Sequence, residues 1–408
     1  MQAWDAVPVP KLPPSAHRVH LYNPRTRDLV AVGPQTGEAR LYACGITPYD
    51  ATHLGHAFTY VTIDLLVRAW RDAGLGVRYA QNITDVDDPL LERAAATGRD
   101  WAELAIEQIE LYRADMAALR VLPPSHFVGV VEAMDMIADT ATALRDGGDA
   151  YAISDPEYPD WYFRVDEAGL LERTGLPRDQ ALALFAERGG DPERAGKHHQ
   201  LDALLWRRAR PDEPAWDSAL GRGRPGWHIE CAAIALATLG ADFDVQAGGS
   251  DLAFPHHPMS ALQAEMVSHR PCDHAALHTA MVAYDGEKMS KSLGNLVFVH
   301  RLLADGADPM AVRLMLLAQH YRSDWEYTPE LLRVATRRLA RWRAAVHRPA
   351  GPDAEPLIAA VRAALSDDLD APTALREIDL WAGSEGATST AAPTQVRDAV
   401  DAVLGVDL

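Results

Sequence analysis

Apolar residues along the chain alternate between short runs and long helical periods. Leu41–Cys44 and Val77–Asn82 are apolar runs of strand length, and between them Leu54–Ala73 repeats its apolar positions at helical spacing. Gly74 and Gly76 end that helix. Strand, helix, strand in this order predicts a parallel pair joined by a crossover. Residues 89–145 are expected to be helical with a break at Pro123-Pro124. Residues 150–205 are irregular and hold the loop-like Glu187-Arg188-Gly189-Gly190-Asp191-Pro192, after which Asp202–Trp206 is expected to re-enter the sheet. A helix over Ile229–Leu239, strands at Phe243–Gln246 and near His278–Val282, and helices over 300–345 and 355–405 complete the pattern. A short strand near Val19–Tyr22 lies in an extended arm. The expected fold is α/β, a parallel sheet with an inserted connective segment and a helical C-terminal domain. Its expected parts are an arm over 1–38, a catalytic domain over 39–325 and helices over 326–408. Within the catalytic domain, 115–200 form the insertion and 283–325 a loop and stem.

Composition narrows the class. At 408 residues there is room for two or three domains, and an apolar fraction of 48% is ordinary for a globular protein. Met1–Pro14 is proline-rich and lacks the apolar core of a secretory signal. No uninterrupted apolar stretch is long enough to span a bilayer, so no membrane partner is expected. Three cysteines, at 44, 231 and 272, make no disulfide framework, and a cytoplasmic location is expected. The formal charge of −19 leans against a large nucleic-acid footprint. Lysine is confined to Lys11, Lys197, Lys288 and Lys291, so two lysines within one pentapeptide suggest a role beyond surface charge.

Two stretches carry candidate chemistry. Cys44–His56 runs from a strand end into a helix start, where free backbone N–H groups and the positive dipole end suit phosphate. His53 and His56 lie three apart and can face one charge together. The second stretch is Lys288-Met289-Ser290-Lys291-Ser292. Asn82–Asp88 closes the next strand; Asn82 and Thr84 are its better ligand candidates, while Asp87 and Asp88 read equally as helix-start aspartates exposed to solvent. Cys44, Cys231 and His256 each fall at a crevice edge, and two thiolates with one imidazole suit zinc with a position left open. Cys272 has no such context and reads as structural.

His53-Leu54-Gly55-His56 with Lys288–Ser292 resembles the HIGH and KMSKS signature pair of class I aminoacyl-tRNA synthetases. The resemblance implies their Rossmann-like (HUP-type) catalytic domain. Among them the chain is most similar to cysteinyl-tRNA synthetase, with Cys44, Cys231 and His256 on that family's zinc-ligand positions and Trp227 on that of its substrate-side tryptophan. It departs at Ile46-Thr47-Pro48, at Ser260, where the synthetase has a glutamate ligand, and in a region after 325 that is short for an anticodon-reading domain. Cys44–Ala57, Glu187–Pro192 and Gly223–Ala235 instead resemble the cysteine ligases of mycothiol biosynthesis, which join cysteine to glucosaminyl-inositol; His257-Pro258-Met259 departs from the usual His-Glu-Phe.

That resemblance implies an AMP-forming ligase. Its partners are ATP with Mg²⁺, L-cysteine and glucosaminyl-inositol, with one Zn²⁺ per chain on Cys44, Cys231 and His256, no tRNA, and a monomer. His53, His56, Lys288, Ser290 and Lys291 would bind ATP. Cys44, Gly45, Ile46, Thr47, Thr59, Asn82, Ile83, Thr84, Trp227, Gly249, Ser250, Asp251 and Val282 would line the cysteinyl-adenylate pocket. Asp251 is expected either to take the amine's proton or to bind the ribose hydroxyls. The alternative is tRNA cysteinylation, whose best support is the arginine series Arg333, Arg337, Arg338, Arg341 and Arg343. A non-catalytic nucleotide-binding copy is disfavoured, because both phosphate motifs and all three metal positions are intact.

Overall fold

The computed structural model describes residues 1–408 except 25, 51, 273, 274, 290–293 and 387, and only the backbone of Lys288. Five parallel strands form the main sheet, in the order Ala275–Thr279, Val245–Gly249, Glu38–Ala43, Gly76–Ile83, His126–Gly129. Strand order reverses beside Glu38–Ala43, which pairs with Gly76–Ile83 on one side and Val245–Gly249 on the other. The loops leaving Ala43 and Gly249 therefore diverge and open a crevice at the strands' carboxyl ends.

The twofold alternation of the central strand sets which side chains meet there. Leu41 and Ala43 join the core under helix Leu54–Asp72, whereas Tyr42 and Cys44 join the core on the opposite face. That second face is covered by helices Met134–Gly147, Trp227–Leu239 and His256–Ser268. Cys44 is thus turned toward the helices that carry Cys231 and His256.

Three sequence expectations need correction. Ala203–Arg208 does not re-enter the main sheet; it is the third strand of a separate antiparallel sheet ordered Ala150–Ala152, Trp161–Phe163, Ala203–Arg208, Gly223–Pro225. An apolar run alone does not specify which edge it pairs with. The span 89–145 is not all helical, since Phe127 and its neighbours pair with Ala80–Ile83. The expected insertion over 115–200 therefore includes a strand of the main sheet, His126–Gly129.

The chain that follows the second signature segment, at Val297–Val299, is laced to the first. Leu54 N donates to Val297 O at 2.9 Å, Val299 N donates to Thr52 O at 3.0 Å, and His53 bridges Phe298. Helices Pro329–Val346, Glu355–Ser366, Ala371–Gly383 and Ala392–Leu404 pack together, and the last meets helix Leu54–Asp72. Among the described residues no helix is long and apolar enough to cross a membrane.

Candidate active site

Helix Leu54–Asp72 begins at His53, whose extended backbone makes it the N-cap and whose Nδ1 accepts from Gly55 N at 3.1 Å. An accepting Nδ1 leaves the ring proton on Nε2 in the neutral imidazole. His56 stacks on His53 with ring centroids 3.8 Å apart, so the two rings form one face of the crevice. A Cβ at position 55 would lie 2.8 Å from the His53 ring, so glycine is what permits this cap. Thr59 Oγ1 ties the helix to the sheet edge through Thr279 Oγ1 at 2.7 Å.

Across the central strand, the ligand atoms of Cys44, Cys231 and His256 all lie within 4.8 Å of one another, and all three residues are buried. His256 Nε2 stands 3.2 Å from the Cys231 sulfur, while its Nδ1 meets His228 Nδ1 at 3.0 Å. This second contact orients the ring so that Nε2 points at the sulfurs. Burial alone would raise the Cys231 thiol, but hydrogen bonding from Cys44 and the nearby His256 hold it well below its usual value. Cys44, which retains the proton, is pushed well up by burial and by Cys231. Two sulfurs and one imidazole nitrogen gathered around one point fit a thiophilic divalent cation such as zinc. Ser260 turns away, donating to His256 O at 2.7 Å. His257, whose place in the departing tripeptide gave no hint of a role, puts Nε2 3.3 Å from the Cys44 sulfur and Nδ1 2.8 Å from His278.

The two regions share one cavity of about 730 Å³. Of the expected residues, Cys44, Gly45, Ile46, Thr47, His53, His56, Thr59, Trp227, Gly249, Asp251 and Val282 line it. Asn82, Ile83 and Thr84 do not, and neither does Ser250. The backbone of Gly45 lies directly on Asn82, where a Cβ would come within 1.6 Å of its carbonyl oxygen, and so covers it. From behind, Asn82 Oδ1 accepts from Gly45 N at 2.9 Å and from the Tyr42 hydroxyl at 3.1 Å, fixing the floor instead. The side chains of Ser290 and Lys291 lie outside the described residues, and Lys288 is described by its backbone in strand Glu287–Lys288, next to Met289 in the cavity wall.

Sequence reasoning missed Tyr60, whose hydroxyl donates to Cys44 O at 3.0 Å and holds the ligand-bearing loop. It also missed Arg224, which pairs with Asp88 and, at 3.3 Å, with Glu213. The only sequence signal was its place in the run Gly223-Arg224-Pro225-Gly226 that leads into Trp227. Cys272 is buried away from the trio, with its thiol pushed up to about 11 by burial.

Comparison with known proteins adds identity to this geometry. The family described as tRNA synthetases class I (C) catalytic domain matches residues 31–337. The chain is 57% identical to an L-cysteine:1D-myo-inositol 2-amino-2-deoxy-alpha-D-glucopyranoside ligase of Thermobispora bispora, covering 100% of both chains. It is 56% identical to the protein of the same name from Acidothermus cellulolyticus, again over 100% of both. Among solved structures it resembles the Mycobacterium tuberculosis methionyl-tRNA synthetase bound by methionyl-adenylate, with a TM-score of 0.60 at 17% identity over 90% of this chain and 92% of that one. The LeuRS of Agrobacterium radiobacter in its ternary complex gives a TM-score of 0.62 at 12% identity over 91% and 84%.

Proposed function

We propose a reaction on the premise that the chain belongs to the L-cysteine:1D-myo-inositol 2-amino-2-deoxy-alpha-D-glucopyranoside ligases, a branch of the family with a class I (C) synthetase catalytic domain. It is an AMP-forming ligase that joins L-cysteine to the amine of 1D-myo-inositol 2-amino-2-deoxy-α-D-glucopyranoside. The observation that carries the reading is that the Cys44–Cys231–His256 cluster opens through Cys44 onto the cavity lined by the stacked His53 and His56.

In the first step a carboxylate oxygen of cysteine attacks the α-phosphorus of ATP. The bond to the bridging oxygen breaks and pyrophosphate leaves with the electron pair. His53 and His56 donate to the phosphate oxygens as charge shifts onto them, and Lys288, Ser290 and Lys291 are assigned to the same phosphates by their motif. Mg²⁺ accompanies ATP. Cys44, Cys231 and His256 would hold one Zn²⁺, which supplies a soft acceptor for the substrate's thiolate; serine cannot match that contact. Trp227 stacks on His256 with centroids 4.1 Å apart and closes the thiol end.

In the second step the neutral sugar amine attacks the adenylate carbonyl. The C–N bond forms, the C–O bond to phosphate breaks, and AMP leaves. The amine's proton needs an acceptor, and Asp251, in the cavity wall beside Gly249, is assigned that role or the binding of the ribose hydroxyls. The catalytic domain is assigned to 39–325 and the helical domain to 326–408, in a monomeric cytoplasmic enzyme.

Transfer to tRNA is the second reading, and its best support is weakened. Arg333 and Arg337 pair with Glu330, Arg338 and Arg341 with Asp379, and Arg343 with Asp308. A face whose arginines already have carboxylate partners is a poor phosphate track. The test is AMP release by the purified protein with ATP and cysteine, with glucosaminyl-inositol or cysteine-accepting tRNA as acceptor. Sugar-dependent AMP with an amide product supports the ligase; charging of tRNA alone overturns it.

A further inference from the structure

The cavity has a third wall that the adenylate chemistry does not use. One wall carries His53 and His56 and another carries Cys44 and Trp227, whereas the third is made by Asp87, Asp88, Arg224 and the segment Phe185–Asp191. That segment comes from outside the main sheet but is fixed to it. Arg188 Nη1 donates to Asp251 O at 2.7 Å and also to Phe254 O, and Lys197 Nζ holds Asp191 at 2.9 Å. Gly190 packs so closely on the buried Phe185 ring that a Cβ would lie 2.4 Å from it. The wall is therefore built and not a loose loop.

Two of its cations are paired with carboxylates, Arg224 with Asp88 and Glu213 and Lys197 with Asp191, while Arg188 is turned onto the carbonyls of Asp251 and Phe254. Asp87 is different. Its Oδ1 accepts from Asp88 N at 2.8 Å as the cap of helix Asp88–Thr97, and among the described residues it has no ion pair. Behind it Glu230 is 1% exposed, and one of its carboxylate oxygens has no hydrogen-bond partner among the described residues. The Asp87 carboxylate, facing the cavity with no ion pair among the described residues, suits a small polyhydroxylated cation.

We propose that this wall is the aminosugar subsite and that the Asp87 carboxylate is the counter-ion of the sugar's ammonium group. The inference rests on the ligase reading and deepens it. Burial pushes the Asp87 carboxyl up to about 6 against the pull of the Asp88 backbone N–H, so it is ionised at neutral pH under a penalty that an arriving ammonium relieves. The helix start at Asp87 brings this charge to the mouth of the same cavity that holds the adenylate.

Asp87→Asn tests the proposal, because asparagine keeps the helix cap. Two constants are measured: KM for the aminosugar, and Ki for the analogue with hydroxyl in place of the amine. Losing a hydrogen-bonded charge partner should raise the aminosugar KM by about tenfold or more while leaving the analogue's Ki within about twofold. ATP–pyrophosphate exchange with cysteine should stay within the same twofold. Equal weakening of amine and analogue, an unmoved KM, or a parallel loss of exchange would each overturn the subsite. A wild-type protein that releases no sugar-dependent AMP would instead overturn the ligase reading, which the same assay shows separately.

Discussion

Two buried polar centres lie on opposite faces of the main sheet, and they are built on opposite principles. The Asp64–Arg68–Arg313 centre is closed. Asp64 accepts from Arg68 Nε at 2.7 Å, from Leu122 N at 2.8 Å and from Arg313. The two guanidiniums spend their other donors on carbonyls of Leu119, Arg120, Asp401, Ala402 and Leu404. Burial would raise the Asp64 carboxyl, yet the two arginines hold it below its usual value. The Cys44–Cys231–His256 centre is open, with sulfurs facing one another, one thiol held low, and a cavity at its edge. A closed centre binds helices to each other, whereas an open one retains capacity for something the chain does not itself supply.

Breaking each centre should separate these roles. The largest effect is expected at Cys231→Ala. Losing a ligand should cost more than the roughly hundredfold in metal affinity that an outer partner is worth, with bound zinc and cysteine-dependent pyrophosphate exchange lost together. Metal analysis beside the exchange assay checks this, and full activity with no metal would refute the open centre. Arg313→Met strikes the closed centre and leaves Asp64 with one charged partner fewer. A stability loss of about 3–5 kcal/mol is expected, measured by denaturant unfolding, with zinc per folded molecule unchanged; a metal loss with unchanged stability would reverse the two roles.

The smallest effect sharpens the comparison at a third buried carboxyl. Asp115 is 2% exposed on helix Trp101–Ala118, and burial pushes its carboxyl up to about 7, with Thr52 pulling the other way. Because the folded value lies above the ordinary 3.8, its stabilising contribution is complete below about pH 4 and is lost as pH rises through 7. Asp115→Asn should therefore gain on the wild type between pH 5 and pH 8 (about two-thirds of the titration) in thermal unfolding. A difference that stays constant with pH would show that the carboxyl remains ionised.

The contrast also explains what the sequence made legible. The open centre uses a scarce residue type: three cysteines in 408 residues make Cys44 and Cys231 conspicuous, as four lysines do for Lys288 in the second signature segment. The parallel core was equally legible, because Leu41–Cys44, Leu54–Ala73 and Val77–Asn82 carry clean periods. The closed centre uses Asp and Arg, which are common, and its partners are backbone carbonyls between 52 and 334 positions away. Strand pairing failed for a related reason, since Ala203–Arg208 reads the same whichever sheet receives it. Asn82 sits at a strand end, as expected, but only the packing of Gly45 reveals that it is floor and not lining.

The closed centre also bears on the order of events during synthesis. Arg68 leaves the ribosome early, yet its Nη1 donates to the carbonyl of Asp401, 333 positions later. Gly405, at φ +66°, lets the chain close over Arg313, where a side chain would strike the guanidinium. The nucleotide-binding half can collapse before those residues emerge, but its central helix then holds cations without their acceptors. Completion of the first half of the enzyme thus waits on translation of the second, and a ribosome stalled short of Asp401 would hold a chain with its core helix still unsealed.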